Sequence, residues 1–237
     1  MQEFSSDTDR IEPSKPIQSN ESSNRGRSGL GSAGILLVAC VCGWAVMELE
    51  ILGVRVLVPY FGSAVYVVTG SVIGVFLLSL AVGYMAGGWL SGLGRPRRTL
   101  GAVILAAGAC LCAMPYSIVP ICDAIFNLEL DTKWGSLLAS LALFGIPTAL
   151  LGTVSPMVVH WLTADTGRSG FHAGVAMAVS TVASFIGCIV TAFYLVLYSL
   201  RTTLVVTGIA LAVLGAVMLV MGPGARHEDA AKGSADA

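Results

Sequence analysis

The stretch "VVTGSVIGVFLLSLAVGYMAGGWL" (67–90) contains no charged side chain, and it lies inside a longer interval, 56–94, that lacks Asp, Glu, Lys and Arg altogether. An α-helix needs about 20 apolar residues to cross the ~30 Å hydrocarbon core of a bilayer. In lipid, backbone polar groups must be hydrogen-bonded within their own segment, which an α-helix achieves. This stretch therefore predicts a membrane-spanning helix.

The same pattern recurs along the chain. Only 11% of the residues are charged and 55% are hydrophobic, whereas about a quarter of a soluble domain is charged. Further charge-free intervals occur at 28–47, 99–122, 134–164, 169–200 and 202–225. We therefore predict an all-α integral membrane protein whose six transmembrane helices lie near 33–56, 64–91, 99–120, 135–162, 171–196 and 202–221.

The two ends of the chain differ from this central domain. Residues 1–32 are dominated by Ser, Asn, Asp, Glu and Pro, a composition that cannot bury enough apolar surface to offset the entropy of ordering. Residues 222–237 are similar. We expect disordered tails at 1–32 and 222–237 and a six-helix transmembrane domain at 33–221.

The distribution of basic residues predicts the orientation. With six spans both tails lie on one side, and that side receives ten of the 13 Lys and Arg residues. The opposite side receives Lys133 and Arg201. Because cytoplasmic loops carry an excess of Lys and Arg, both termini are predicted to be cytoplasmic. The near balance of 13 basic and 14 acidic residues argues against a nucleic-acid partner.

Three charges interrupt the first predicted span, in "MELEILGVRVLVPYFG" (47–62). They are Glu48, Glu50 and Arg55, and each would cost at least ~2.5–3.5 kcal/mol at the bilayer centre. Glu48 and Arg55 are seven residues apart and so share a helix face, whereas Glu50 points elsewhere. These residues form the candidate intramembrane polar site. Three interpretations compete. The residues form a structural ion-pair network, or their carboxylates bind a cationic or protonatable ligand, or the side chains snorkel to the interface.

Other polar and small residues give weaker signals. Pro147 and Pro156 should kink or end the fourth helix, and Pro115 and Pro120 the third. Pairs of small residues such as Gly70/Gly74 and Gly83/Gly87 permit close helix packing in lipid. The six cysteines are interpreted as small apolar core residues, and no residue pattern predicts a metal site.

Several ordered segments resemble the membrane region of the bacterial fused MFS/spermidine synthase family. The likeness begins with Glu50-x4-Arg55-x3-Pro59-x2-Gly62, in which Pro59 and Gly62 correspond to the family's turn. It continues through 63–88, "LLGTVSPMVVHWL" (150–162), "STVASFIGCIVTAFYL" (180–195) and "RTTL" (201–204). The resemblance covers about 35–215. The chain has Val68, Gly92, His160 and Leu197 where the family usually has Trp, Asp, Arg and Pro.

The resemblance implies a location in the bacterial inner (cytoplasmic) membrane, and the MFS part of the family name implies an architecture like one six-helix half of a major-facilitator transporter. No G-x-G-x-x-G motif stands between a strand and a helix, so we expect no cofactor and no catalysis by this chain alone. The leading hypothesis is a non-catalytic module that works with a separate soluble enzyme or a membrane complex and handles a polyamine-like cation through Glu48 and Glu50. The alternatives are a dimeric half transporter for a small molecule and a structural subunit of a larger membrane complex.

Overall fold

A computed structural model describes residues 21–62, 65–92, 96–163 and 169–220, with the side chains of 21–33, 96–97, 163, 169 and 171–172 left out of the description. This part of the chain is helical and contains no strand. The helices are α1 (Glu21–Phe61), α2 (Val65–Ser91), α3 (Pro96–Phe126), α4 (Thr132–Thr163), α5 (Ser169–Phe193) and α6 (Leu200–Val220), with a short 3₁₀ helix at Leu195–Leu197 between α5 and α6.

Each of the six helices is long and apolar enough to cross a membrane, which confirms the predicted six spans. The spans are Gly34–Phe61, Val65–Ser91, Arg98–Phe126, Thr132–Leu162, Ala173–Leu197 and Leu200–Val220. The first ends at Phe61 and not near 56, because α1 continues through Arg55. Of the tails predicted to be disordered, residues 21–32 belong to α1, while 1–20 and 222–237 lie outside the described residues.

Prolines lie inside three of the helices. Pro59 lies in the last turn of α1, three residues before Gly62, and the residues after Gly62 are not described until Val65. α4 runs through both Pro147 and Pro156, so neither proline ends it. α3 likewise runs through Pro115 and Pro120 to Phe126. Packing against neighbouring helices compensates in membranes for the backbone hydrogen bond that each proline lacks.

Three helix pairs pack most extensively: α2 with α4, α3 with α6, and α1 with α5. α2 and α4 run parallel, because a Cβ on Gly83 would meet Ala149 and one on Gly87 would meet Thr153. α3 and α6 run antiparallel, because Gly101 lies against Gly215 and Gly108 lies against Gly208.

The pairing of helices has an internal regularity. Suppose that α1 corresponds to α4, α2 to α5 and α3 to α6. Under this correspondence the α1/α5 pair becomes the α4/α2 pair, while α3/α6 and α1/α4 each become themselves. The correspondence also converts α1/α2 into α4/α5, and all of these pairs are in contact. The most extensive helix pairs therefore fit two three-helix units related by a pseudo-two-fold axis, although α3 packs more extensively on α4 than its counterpart α6 does on α1.

α1 and α4 lie at the centre of this arrangement, since each contacts α2, α3 and α5 as well as the other. α4 is the most buried span: 61% of the residues in an apolar 18-residue stretch of this helix are buried by the rest of the protein. The corresponding share is 44% for α1 and only 17% for α5. The core thus lies along α1 and α4. α2 and α5 present wide apolar surfaces, including Tyr66, Met85, Met177 and Phe185.

Candidate functional site

Glu48 is buried at the junction of α1 and α6. Its side chain is 1% exposed. One carboxylate oxygen, Oε2, accepts a hydrogen bond from Trp44 Nε1 at 2.9 Å, one turn earlier in α1. The other, Oε1, accepts one from Thr207 Oγ1 of α6 at 2.7 Å. We call Glu48, Trp44 and Thr207 the Glu48 cluster.

The Glu48 cluster lies deep in the predicted membrane layer. Glu48 is 14 residues beyond Gly34 and 13 before Phe61, the two ends of the first span. At ~1.5 Å per residue it lies about 20 Å from either end of the span. Along α6, its partner Thr207 is only seven residues beyond Leu200, where that span begins, so the cluster lies about 10 Å from the end of the bundle at which α6 begins.

No positive charge compensates Glu48 within the described residues. Both of its partners are neutral donors, and no described Lys, Arg or His forms a salt bridge with it. Desolvating an ion costs several kcal/mol in proteins, while one hydrogen bond to a charged group recovers ~1.5–3 kcal/mol. The arrangement is therefore suited to a carboxylate that shares its site with a proton or another cation.

Glu50 lies in a different environment. Its side chain is half-buried and forms no hydrogen bond or ion pair with any part of the chain that the structure describes. One turn later on this side of α1, Gly53 packs against Phe144 of α4 and Val72 of α2. Glu50 is therefore an accessible carboxylate near the central helices, and its position permits contact with a ligand.

Arg55 is exposed and lies towards the end of α1. Its guanidinium Nη1 donates to the backbone carbonyl of Tyr198, just after the 3₁₀ helix, at 3.1 Å. Arg201 lies at the same end of the bundle, donates to Tyr116 Oη at 2.7 Å and stands 4.8 Å from the centroid of that ring. These two arginines resemble interfacial anchors, which keep their charge near the membrane surface.

The three charges of α1 therefore do not form one cluster. Glu48 contacts α6, Glu50 lies on another side of α1, and Arg55 contacts the segment between α5 and α6; no ion pair joins them among the described residues. Sequence reasoning did not identify Thr207 or Tyr198 as partners. The available signal for Thr207 was its hydroxyl near the start of the sixth apolar run, whereas a backbone carbonyl such as that of Tyr198 leaves no signal in the sequence.

A cavity of about 410 Å³ opens among α1, α2, α4 and α5, near the end of the bundle where α1 begins. Most of its lining is apolar, and its hydroxyl groups come from Tyr84, Ser155, Ser180 and Thr181. This volume is within the ~300–1,000 Å³ range of small-molecule pockets. The cavity is separate from the Glu48 cluster, none of whose residues lines it.

In the described part of the chain, no group of three His, Cys, Asp or Glu side chains lies close enough to hold a metal ion. Cys42 and Cys122 are buried and the other four cysteines are half-buried.

Comparison with known protein families, with characterised proteins and with solved structures found no match to this chain.

Proposed function

We propose that this chain is a non-catalytic membrane module that handles a small organic cation by means of the acidic residues of α1. The observation that carries the proposal is that α1 holds two carboxylates within its span: Glu50, whose half-buried side chain has no partner in the described chain, and Glu48, which is 1% exposed and is bonded, among the described residues, to neutral donors alone. A charged group in this position is expensive, and such residues in membrane proteins commonly mark substrate or ion pathways.

The resemblance to the membrane region of fused spermidine synthases supports a polyamine-like amine as the cation. Such a module would work beside a separate soluble enzyme or within a membrane complex in the bacterial inner membrane. Glu50 is the residue we assign to the amine, because it is accessible and has no partner in the described chain. An ammonium group bound there would gain a charge-assisted hydrogen bond.

The test is binding of labelled spermidine to the full chain in lipid nanodiscs. Glu50→Gln should weaken binding at least tenfold, because the amide keeps the shape of the side chain and loses its charge. Glu129→Gln is the matched control, since Glu129 is exposed in the turn between α3 and α4. Equal binding by the wild type and Glu50→Gln would reject the assignment of the amine to Glu50.

A dimeric half transporter is the second candidate, favoured by the pairing of the helices. Transporter folds are commonly built from repeats related by a pseudo-two-fold axis, with the site near the midplane between them. The contacts of α1–α3 and α4–α6 fit that plan. Spermidine uptake into proteoliposomes, together with a two-chain mass in native mass spectrometry, would support this candidate over a binding module; binding without flux would exclude it.

A further inference from the structure

Thr191 of α5 is a buried hydroxyl that has no hydrogen-bond partner in the described chain, and its side chain is 0% exposed. Threonine hydroxyls in membrane helices usually bond to a carbonyl of the preceding turn, as Thr181 does with Met177 on the same helix. A buried polar atom without a partner costs ~1–3 kcal/mol. Its position therefore requires an explanation.

The register of α1 against α5 places Thr191 level with Glu48. A Cβ on Gly187 would lie 3.1 Å from Trp44 Cα, and Arg55 reaches the carbonyl of Tyr198. Both contacts pair a residue of α1 with the residue 143 positions later, and the same offset pairs Glu48 with Thr191. Residues four apart lie on one face of a helix, so Thr191 follows Gly187 on the face that α5 turns towards α1.

α5 also ends two residues beyond Thr191, at Phe193. Its last helical hydrogen bond runs from the Tyr194 amide to the Val190 carbonyl, and the chain then forms the 3₁₀ helix. The carbonyls of Thr191, Ala192 and Phe193 receive no backbone N–H within the described residues. These carbonyls form the negative end of the helix dipole, which favours a cation.

We propose that Glu48, Thr207 and Thr191 form an enclosed binding site for a dehydrated Na⁺ ion. All three ligands are oxygens, which hard cations prefer. One carboxylate balances one monovalent charge. Glu48 and Thr191 are at most 1% exposed, which leaves no opening for an organic amine. Discontinuous helices whose C-terminal ends coordinate Na⁺ or a proton recur in transporters.

This inference rests on the proposed function for the cation-binding role of α1, and it separates the two acidic groups. Glu50, accessible and unpaired, receives the amine. Glu48, enclosed with the hydroxyls of Thr207 and Thr191, receives the metal ion. A Na⁺ ion there would supply the countercharge that Glu48 lacks and the partner that Thr191 lacks.

The experiment is a Na⁺ titration of the full chain in nanodiscs, with K⁺ replacing Na⁺ at constant ionic strength and the unfolding temperature as the readout. Na⁺ should raise the unfolding temperature of the wild type and K⁺ should not. Thr191→Val should raise the half-saturating Na⁺ concentration at least tenfold, and Glu48→Gln should abolish the response. Thr181→Val is the control on the same helix and should respond like the wild type.

Equal unfolding temperatures of the wild type in Na⁺ and K⁺ would overturn the site, as would a Thr191→Val variant with the wild-type response. Stabilisation by acidic pH that is equal in the two salts would show that Glu48 binds a proton only, and would also overturn it. If Glu48→Gln does not fold, the wild type and Thr191→Val decide the matter. Spermidine binding measured in K⁺ alone reports on Glu50, so loss of the Na⁺ response with retained amine binding leaves the proposed function standing.

Discussion

The hydroxyl of Thr207 makes the only hydrogen bond in the described chain that joins Glu48 to another helix. Thr207→Val keeps the shape of the side chain and removes the donor, leaving one oxygen of a buried carboxylate unpaired. We expect it to lower the free energy of unfolding by about 1.5–3 kcal/mol, the usual worth of a hydrogen bond to a charged group. Equilibrium unfolding in mixed micelles measures this loss.

The matched control for Thr207→Val lies on the same helix. Thr202 is exposed, and its side chain forms no hydrogen bond among the described residues. Thr202→Val should change the free energy of unfolding by less than about 0.5 kcal/mol, as is usual for surface positions. If the two variants were equally stable, the Glu48–Thr207 hydrogen bond would contribute nothing measurable.

Glu48 and Arg55 should act independently. They are seven residues apart, about 10 Å along the axis of α1, and they share no partner: Glu48 bonds to Trp44 and Thr207, and Arg55 to Tyr198. In a double-mutant cycle with Glu48→Gln and Arg55→Gln, we expect a coupling energy of less than about 0.5 kcal/mol. A coupling of 1 kcal/mol or more would revive the interpretation of one ion-pair network.

At the level of single residues, the sequence singled out three charges within the first span but not what they contact. Charge-free intervals on both sides make Glu48, Glu50 and Arg55 conspicuous. Helical periodicity relates residues of one helix only. Thr207 lies 159 residues beyond Glu48, and only the packing of α6 against α1 brings the two together.

Close packing of glycines holds α2 against α4. A Cβ on Gly83 would collide with the backbone carbonyl of Ala149 and lie 3.0 Å from Gly152 Cα, so Gly83→Ala must push the two helices apart. We expect a loss of about 1–3 kcal/mol in the free energy of unfolding, as for other overpacked sites. Chemical unfolding of the purified chain tests this.

Gly74→Ala provides the control within α2. Nothing lies within 4 Å of a Cβ at Gly74, and alanine is the better helix former. This variant should therefore be as stable as the wild type or slightly more stable. Comparable losses for Gly83→Ala and Gly74→Ala would show that glycine flexibility, and not the α2/α4 contact, determines the effect.

At the level of helices, charge-free intervals predicted the number of spans well and their ends less well. The third span continues to Phe126, past Pro115 and Pro120, although a proline disfavours the interior of a soluble helix. The spacing of Gly83 and Gly87 predicted close packing, but the choice of α4 as the partner depends on how all six helices are arranged.

For the whole molecule, no repeat in the sequence predicts the correspondence of α1–α3 with α4–α6. The two halves of the sequence share too faint a glycine pattern to reveal a repeat. The pairing becomes visible in the contacts α1/α5 and α2/α4, which exchange with each other, and in the antiparallel pair α3/α6. In a chain of apolar helices, many sequences satisfy the same contacts, because lipid-facing and buried positions are both apolar.

The positive-inside rule predicts an orientation in the membrane that can be tested on the intact chain. In a variant without the six native cysteines, Asn127→Cys and Gly92→Cys each place one thiol at an exposed position, after α3 and after α2 respectively. α3 separates these two positions, so they lie at opposite ends of the bundle. Basic residues cluster beside Gly92, at Arg95, Arg97 and Arg98, and such clusters stay on the cytoplasmic side.

A membrane-impermeant maleimide added to intact cells should therefore label Asn127→Cys and leave Gly92→Cys unlabelled until the membrane is permeabilised. Labelling of both variants after permeabilisation is the control for thiol accessibility. The reverse pattern in intact cells would put both termini outside. It would also place Arg55 and Arg201, which anchor the end of the bundle where α1 stops and α6 begins, at the cytoplasmic surface, and any cation reaching Glu50 from that end would then come from the cytoplasm.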